Sequence, residues 1–465
     1  MSAVKLETVK ITADFTKKTG NKIKPMHGIC SAPILGGESS VGPALFHYLD
    51  EAAIPYSRFH DVAGYFGGGR FVDIPNIFRN FDADVNDPAS YDFAHTDVLI
   101  KTLRDYGVEP IYRLGITIEN WANIKAYHVY PPKDFQKWAE ICEHIIRHYN
   151  EGWADGYHYG IKYWTIWNEA DVDFDPNNIA QTWHGGREEF FKFYEISSKH
   201  IKKCFGDSIM LGGPGAMGFK EHEIWDPELK GVDPQYANKE HVWAYRIDFV
   251  HRFLQYVKEH DCPLDFFCWH GYIALVENIV DRAKYCRALL KKYGFEHIPD
   301  ILEEWNTCFR KVKLRSEAEY SARNLAVMLG MQKSETSVLC YYIGEIGISV
   351  YHGMFNPDTF EPYKTYYAFK SFGQAYKLGC EVENCSDNKD VYTLAARNDK
   401  KGIILIANDK DQPLTLELDV TGADVNSGEV IVTDDEYLYT AVGEVIKNST
   451  YTVKAHSCVE IRVVF

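Results

Sequence analysis

The sequence predicts an α/β protein, a (β/α)8 TIM barrel with a C-terminal β-sandwich accessory domain. Its 465 residues exceed one ordinary domain and suit a large barrel plus a small second unit. Strand-like and helix-like stretches alternate eight times over about 350 residues, which is typical of a parallel barrel. After Leu378 the pattern changes to short β-rich runs separated by Asn, Asp, Gly and Lys turns, which indicates a separate β domain.

The barrel strands are predicted where short runs combine apolar, aromatic and β-branched residues. The eight runs are residues 26–30, 56–60, 109–114, 163–168, 210–213, 266–270, 300–304 and 338–343. The helices are predicted where apolar residues recur every three or four positions. They cover residues 41–53, 94–106, 133–149, 187–205, 247–260, 277–292, 317–333 and 364–378, of which 133–149 has the clearest apolar face.

The two ends of the chain carry the remaining strand patterns. Five strands are predicted after the barrel, at residues 391–396, 402–407, 414–420, 430–432 and 459–464. The amino terminus alternates apolar and polar residues like a strand and lacks the apolar stretch of a signal peptide, so we expect a cytoplasmic protein. We predict three segments: an N-terminal strand at residues 1–24, the barrel at 25–378 and the sandwich at 379–465.

The composition excludes several classes of partner. The formal charge is −16, from 50 Lys and Arg against 66 Asp and Glu, and the chain has no basic run. This balance argues against binding nucleic acid or an anionic membrane surface. No stretch approaches the roughly 18 apolar residues that a membrane span needs. The eleven cysteines lack C-x-x-C spacing, so we expect buried thiols rather than disulfides or a zinc site.

Two glutamates stand at the ends of predicted strands. The run that begins at Tyr163 ends in Asn168 and Glu169, and the run that begins at Asp300 ends in Glu304. Barrel enzymes build their active sites at the carboxyl ends of the strands, so both side chains are expected at the same face. A pair of carboxylates in this position predicts glycoside hydrolysis. An isolated strand-end Glu would more commonly form a structural ion pair.

The residues around both glutamates resemble a known family. Trp167-Asn168-Glu169 resembles the acid/base signature of the clan A retaining glycoside hydrolases. Glu304-Trp305-Asn306 resembles the nucleophile motif of glycoside hydrolase family 39 within that clan. The resemblance covers roughly residues 25–378, and other similar stretches follow in the same order, among them Tyr91-Asp92-Phe93, Pro131-Pro132 and Gly212-Gly213-Pro214. In similar enzymes the first residues join the C-terminal domain, which implies the same for the N-terminal strand here.

The resemblance implies a role for each candidate site residue. Glu169 is expected to act as general acid and then general base, and Glu304 as the nucleophile. Tyr272 is expected to donate to Glu304 and keep its pKa low. Glu303 is expected to face away, because side chains alternate along a strand. The residues expected to bind the sugar are Asn168, His60, His270, Tyr272, Trp305 and Glu345.

Some of these residues could instead have purely structural roles, and the sequence departs from the family pattern at two places. A lone histidine in a barrel is more commonly a core residue, and Tyr272 could simply pack. In the xylosidases of the family the eighth strand runs into an Asp and paired acidic residues, whereas residues 339–347 here offer only Glu345. The acid/base motif is also followed by Ala170 rather than Pro. The first difference leaves the sugar open, and the second leaves the chemistry unchanged.

The function predicted from the sequence is a retaining exo-glycosidase, β-D-xylosidase-like, acting on plant-derived oligosaccharides without a metal or organic cofactor. An α-L-arabinosidase or another family 39 specificity is the near alternative, and an iduronidase-like role is disfavoured without a secretion signal. A catalytically idle carbohydrate-binding or assembly module is the alternative from a different class. The sequence leaves open whether the protein forms a homo-oligomer.

Overall fold

The computed structural model describes residues 6–33, 44–60, 71–117, 129–172, 182–217, 242–272, 275–307, 316–345, 351–424, 428–442 and 450–465. These residues form a closed barrel and a nine-stranded sheet. The chain begins with a long strand, β1 (Glu7–Lys22), which belongs to the sheet, and then enters the barrel. The barrel carries the candidate site, and the sheet supports it from the outside.

Eight parallel strands close the barrel, and the last pairs with the first. They are β2 (Gly28–Cys30), β3 (Tyr56–Arg58), β4 (Glu109–Leu114), β5 (Tyr163–Ile166), β6 (Met210–Ala216), β7 (Phe266–Tyr272), β8 (Asp300–Asn306) and β9 (Val338–Tyr342). The predicted barrel is confirmed. Three strands, β6, β7 and β8, extend two or three residues further towards their carboxyl ends than predicted, and these extensions reach the candidate site.

Helices surround the barrel. Those in the described residues are α1 (His47–Glu51), α2 (Ile74–Ile77), α3 (Ala94–Asp105), α4 (Phe135–Asn150), α5 (Arg187–Phe205), α6 (Val242–Glu259), α7 (Val276–Tyr293), α8 (Glu317–Gln332) and α9 (Lys364–Leu378). The helix predicted at 41–53 is reduced to α1, and its residues 41–43 lie outside the described part of the chain. Helix α4 begins after Asp134, whose carboxylate accepts from the Lys137 backbone N–H at 3.0 Å and caps the helix.

The C-terminal domain is a nine-stranded sheet that curls around a core of its own. Its further strands are β10 (Cys380–Ser386), β11 (Val391–Arg397), β12 (Lys401–Asn408), β13 (Leu414–Thr421), β14 (Glu429–Thr433), β15 (Thr440–Ala441), β16 (Thr450–Val453) and β17 (Ser457–Val464). Strand β1 lies inside it, antiparallel to β10 and parallel to β13. The curl brings apolar side chains of distant strands, such as Ile11, Ile404 and Leu416, into one core.

The outer face of this sheet packs on the barrel. Leu394, Ile403 and Leu405 belong to the same apolar core as helices α8 and α9. Polar contacts join the same region: the Lys24 ammonium donates to three backbone carbonyls, and the Gln332 side-chain amide donates to the Lys22 carbonyl at 3.0 Å. None of the helices among the described residues is long and apolar enough to cross a membrane.

Candidate active site

Buried charged side chains gather where the barrel strands end. Parallel strands present their carboxyl ends at one face, so residues far apart in sequence meet there. All of them are at most 5% exposed, which is unusual for ionisable groups. The central members are Arg58 at the end of β3, Glu169 after β5, His270 on β7, and Glu303 and Glu304 on β8.

Glu169 is fixed by its own backbone. Strand β5 ends at Ile166, and Trp167 and Glu169 then adopt left-handed conformations, with φ of 68° and 46°, that turn the chain sharply. The Glu169 N–H donates to the Gly215 carbonyl at 3.1 Å. Its carbonyl accepts from the Thr182 hydroxyl at 2.6 Å, and the Trp167 indole donates to the Thr182 carbonyl. These bonds hold the Glu169 side chain over the barrel.

The carboxylates of Glu169 and Glu304 lie close together with an imidazole between them. One oxygen of each and a ring nitrogen of His270 all lie within 4.8 Å of one another. The Nδ1 atom of His270 is 2.6 Å from Glu169 Oε1 and 3.5 Å from Glu304 Oε2. An oxygen separation of at most 4.8 Å is compatible with the roughly 5 Å between the carboxyl groups of retaining glycosidases and lies below the roughly 6.5–9.5 Å of inverting ones.

Both oxygens of Glu304 are held by donors. The Arg58 guanidinium contacts Oε1, and the Tyr272 hydroxyl donates to Oε2 at 2.5 Å. His60 Nε2 lies 3.6 Å from Oε1. The Glu304 carboxylate is therefore oriented by its surroundings, as an attacking group must be. Within the trio, His270 hydrogen-bonds Glu169, and Glu304 lies at ion-pair distance from the same ring nitrogen.

Arg58 joins several of these groups and was not singled out from the sequence. Besides Glu304, its Nη2 atom donates to Asn168 Oδ1 at 2.7 Å and to Glu303 Oε1 at 3.1 Å. The signal that the sequence offered was its position two residues before His60, at a strand end. The bond to Oδ1 fixes the Asn168 amide, whose buried Nδ2 has no hydrogen-bond partner within the described structure.

The expectation that Glu303 faces away from the site is wrong. Its carboxylate is fully buried and contacts both Arg58 and His270, whose Nε2 atom is 3.4 Å away. The cause is a break in the register between β7 and β8, because Trp269 pairs with Leu302 while His270 pairs with Glu304. A bulge of this kind interrupts the alternation of side chains, so consecutive residues Glu303 and Glu304 both reach Arg58.

Burial and charge shift the pKa values in opposite directions across the site. Burial alone lowers the pKa of His270, but the carboxylates of Glu304 and Glu169 raise it to about 10. Burial would raise the pKa of Glu303, yet Arg58 and His270 hold it below its usual value. Burial lowers the pKa of His60, and Arg58 lowers it further, so this imidazole is neutral. These shifts favour a protonated His270 and an ionised Glu303.

Tyr272 does not keep the pKa of Glu304 low. Burial raises the pKa of Glu304 above its usual value, and Glu169 adds to the rise, while His270, Arg58 and the Tyr272 hydroxyl lower it. The predicted hydrogen bond from Tyr272 is present, but its effect is smaller than that of burial. Two further tyrosines, which the sequence analysis did not identify, pack beside Tyr272. The ring centroids of Tyr351 and Tyr272 are 4.7 Å apart, and the Tyr342 ring packs against both.

The two remaining predicted sugar contacts, Trp305 and Glu345, lie in different surroundings. Trp305 is fully buried between Tyr341 of β9 and Phe369 of α9, with ring centroids 5.0 and 6.2 Å away, so it faces the helix layer and not the barrel opening. This placement argues against the predicted contact with a sugar. Glu345 follows β9 and is buried, and its carbonyl accepts from the Met354 N–H at 3.1 Å.

Two other clusters of potential metal ligands lie away from this face, among the described residues. One joins Glu143, His200 and Cys204 between α4 and α5, and the second joins Glu319, Asp411 and His456 next to the sheet. In each cluster the histidine already hydrogen-bonds a carboxylate of the same cluster. His200 Nε2 is 2.6 Å from Glu143, and His456 Nε2 is 3.0 Å from Asp411. These bonds account for the clusters without an ion.

Comparison with known proteins identifies relatives over most of the chain. The family model described as "Glycosyl hydrolases family 39" matches residues 51–402. A β-xylosidase from Geobacillus stearothermophilus is 22% identical over 368 residues, 72% of this chain and 66% of that protein. One from Caldicellulosiruptor saccharolyticus is 29% identical over 189 residues, 39% of this chain and 34% of that protein. The matched regions thus span about two thirds and one third of these relatives.

Solved structures share the fold along nearly the whole chain. A glucosidase from Croceicoccus marinus superposes with a TM-score of 0.76 at 18% identity, covering 99% of this chain and 100% of that one. A monomeric β-xylosidase from Caulobacter crescentus gives 0.65 at 14% identity, covering 98% and 99%. The family match extends over most of the barrel and into the sheet. The chain belongs to glycoside hydrolase family 39.

Proposed function

We propose that this protein is a retaining, exo-acting glycoside hydrolase, β-D-xylosidase-like, that cleaves plant-derived oligosaccharides by double displacement. The observation that carries the proposal is the pair of carboxylates, Glu169 and Glu304, held within 4.8 Å of one another at the carboxyl ends of the barrel strands. Family membership supports the same reaction class.

Glu304 is the proposed nucleophile. Its carboxylate oxygen attacks the anomeric carbon of the terminal sugar, and the bond from that carbon to the glycosidic oxygen breaks. Arg58 and Tyr272 hold the carboxylate in position, so it loses little orientational freedom on reaching the transition state. The positive charge of Arg58 also favours the ionised form that attack requires.

Glu169 is the proposed acid and base. In the first step its carboxyl proton passes to the glycosidic oxygen, and the alcohol of the remaining oligosaccharide leaves. In the second step the Glu169 carboxylate takes a proton from water, whose oxygen attacks the anomeric carbon and releases Glu304. Two inversions at one carbon leave its configuration unchanged. Glu169 lies on the side of His270 opposite Glu303, with its backbone anchored to Gly215 and Thr182.

Asn168 is the proposed partner of the sugar hydroxyl next to the anomeric carbon. Its Nδ2 group is buried and unpartnered in the described structure, while its Oδ1 atom is fixed by Arg58. A bond to that hydroxyl strengthens as the sugar gains oxocarbenium character, which lowers the barrier. We further propose His60, His270, Tyr272 and Glu345 as parts of the sugar site, and we remove Trp305 from it because of its packing against α9.

The specificity for xylose is proposed from the relatives. Both curated relatives are named β-xylosidases. An α-L-arabinosidase or another specificity within family 39 remains the alternative, because Glu345 stands alone where the xylosidases carry several acidic residues. A catalytically idle carbohydrate-binding protein is the alternative from another class. The contacts of Arg58 and Tyr272 with Glu304 favour an enzyme, because they orient a carboxylate for attack and binding alone does not require that.

Hydrolysis of a panel of aryl glycosides tests this proposal. We expect turnover of the β-D-xyloside above the α-L-arabinoside and the β-D-glucoside, with the β-anomer of xylose as the first product in proton NMR spectra. Preference for another sugar would replace the proposed specificity and leave the mechanism intact. A first product of inverted configuration would contradict the mechanism. Binding of xylo-oligosaccharides without turnover of any glycoside would support the idle alternative.

A further inference from the structure

Glu303 lies directly beneath the two proposed catalytic carboxylates. Its Oε1 atom is 3.1 Å from Arg58 Nη2 and 3.4 Å from His270 Nε2. Gly215 packs closely against the Glu303 and His270 side chains. A Cβ atom added to Gly215, which has a φ of 66°, would lie 2.9 Å from Glu303 Oε1 and 3.6 Å from His270 Nε2. The backbone that anchors Glu169 thus also leaves room for the contact between Glu303 and His270.

The two ring nitrogens of His270 face different carboxylates. Nδ1 lies 2.6 Å from Glu169 and Nε2 lies 3.4 Å from Glu303. A neutral imidazole carries a proton on one nitrogen only, whereas the imidazolium donates from both. Ionised carboxylates only accept hydrogen bonds. When both carboxylates are ionised, the imidazolium is the form that satisfies both contacts at once.

The charges of the cluster balance in the same state. Arg58 is permanently charged, while Glu303 and Glu304 together contribute two negative charges when ionised. A second cation is needed for neutrality in a site this deeply buried, and a protonated His270 supplies it. Glu169 can then hold the proton that a general acid needs without leaving a net charge in the barrel.

We propose that Glu303 is a positioning residue that holds His270 as an imidazolium against Glu169. This inference rests on the proposed function, because it assigns the acid role to Glu169. The imidazolium donates its Nδ1 proton to Oε1 of Glu169, which leaves Oε2 to carry the proton for the glycosidic oxygen. Once that proton has left, the same hydrogen bond stabilises the new Glu169 carboxylate.

The environment of His270 contains charges of both signs. Burial lowers its pKa, and Glu304, Glu169 and Glu303 raise it, in that order, to about 10. Glu303 makes the smallest of these contributions, but it is the one carboxylate of the three that faces Nε2. The titratable and charged groups around the imidazole are Glu169, Asp171, Glu303, Glu304, Arg58, His60, Cys268 and Tyr272.

Nitrogen NMR of the full-length protein labelled with ¹⁵N-histidine tests the charge state without any activity. We expect both ring nitrogens of His270, identified by their loss in His270→Gln, to give imidazolium shifts from pH 6 to 8.5. In Glu303→Gln the protonated form should be lost at a pH at least half a unit lower. A neutral His270 at pH 7 in the unaltered protein, or an unchanged titration in Glu303→Gln, would overturn the inference.

The pH profile of kcat/KM tests the consequence for catalysis. Removing a negative charge disfavours every protonated state nearby, so the basic limb should move at least half a pH unit lower in Glu303→Gln. Glu303→Asp should restore it, since it keeps the charge. The matched control is Glu460→Gln in the sheet, a buried glutamate paired with Arg462 at 2.6 Å, whose profile should not move.

Three outcomes separate the possible failures. An unmoved basic limb in a folded, active Glu303→Gln protein would show that Glu303 only packs. If Glu303→Gln does not fold, an imidazolium in the unaltered protein at pH 7 supports the inference and a neutral His270 overturns it. If the unaltered protein hydrolyses no glycoside but His270 is an imidazolium, the proposed function fails while the charge assignment stands.

Discussion

Two arginines occupy neighbouring barrel strands at the same buried face, and their partners differ. Arg113 of β4 pairs with one carboxylate, that of Asp73, at 2.6 Å. Thr117 completes that pair, because its N–H and its hydroxyl donate to the two Asp73 oxygens. Arg58 of β3 is shared between Glu303, Glu304 and Asn168. The charge of Arg113 is therefore balanced by one carboxylate, whereas Arg58 contacts two carboxylates and balances the charge of only one.

This difference separates structural from functional charge. The pair of Arg113 and Asp73 is neutral without a further proton, and it fixes the strand end and the chain near Asp73. A cluster with surplus negative charge needs mobile protons, which His270 and Glu169 supply. Buried ion pairs contribute little net stability, so their retention calls for another reason. At Arg58 that reason is the proposed acid–base chemistry.

Replacing Arg58 should have the largest effect. Arg58→Met leaves Glu303 and Glu304 without their cation, so kcat should fall by about 10³-fold, a loss like that of a group that stabilises the transition state. The free energy of unfolding should fall as well. Steady-state kinetics and urea unfolding measure the two effects. A folded variant that retains a tenth or more of the activity would show that Arg58 resembles Arg113.

Replacing Arg113 should instead affect mainly stability. Arg113→Met breaks a fully buried pair with Asp73, and breaking such pairs typically costs about 3–5 kcal/mol. Because Arg113 contacts neither proposed catalytic glutamate, the folded fraction should keep kcat within about tenfold of the unaltered enzyme. Kinetics at low temperature, where the variant is folded, check this. A loss equal to that of Arg58→Met would remove the distinction between the two arginines.

Removing the Tyr272 hydroxyl should have a smaller effect on the same cluster. A hydrogen bond to a charged group is worth about 1.5–3 kcal/mol, so Tyr272→Phe should lower kcat roughly tenfold to a hundredfold. The ring and its contact with Tyr351 stay, and the fold should be unchanged. The matched control is Tyr341→Phe, whose hydroxyl bonds the His352 carbonyl on the far side of β9. Equal losses in the two variants would contradict a specific role for Tyr272.

The charge of His270 predicts how stability depends on pH. Its pKa is about 10 in the folded protein and 6.5 ordinarily, so its contribution is fully present below pH 6.5. Between these values only the folded state keeps the proton, and the contribution is lost as the pH rises towards 10. The free energy of unfolding should fall less steeply from pH 7 to 9.5 in His270→Gln than in the unaltered protein. Parallel pH dependences would show that His270 is neutral.

The fold could be predicted because local patterns carry it. The eight strands and helices such as α5 and α9 follow from periodicity, and the two proposed catalytic glutamates follow from their strand-end motifs. The C-terminal β domain also follows from its strand pattern, but its pairing order does not, because a strand pattern shows which residues are buried and not which strands pair.

Site residues could be predicted only where a local sequence motif marks them. Arg58 and Gly215 matter because the barrel places them beside residues more than 45 positions away, and their own neighbours in sequence do not reveal that. Glu303 was misplaced because a bulge is set by the register of paired strands. Trp305 was misplaced because its motif does not say which side of β8 it occupies.

The stereochemistry of azide rescue tests the central claim most directly. Glu169→Ala still forms the glycosyl-enzyme on an aryl glycoside with a good leaving group, so azide should accelerate turnover and give a glycosyl azide of retained configuration. Glu304→Ala cannot form that intermediate, and azide should attack the vacated face and give the inverted product. Retained product from Glu169→Ala with inverted product from Glu304→Ala, read from the anomeric coupling constants, is the predicted result. The opposite assignment, or full activity in both variants without azide, would contradict the roles of these two glutamates.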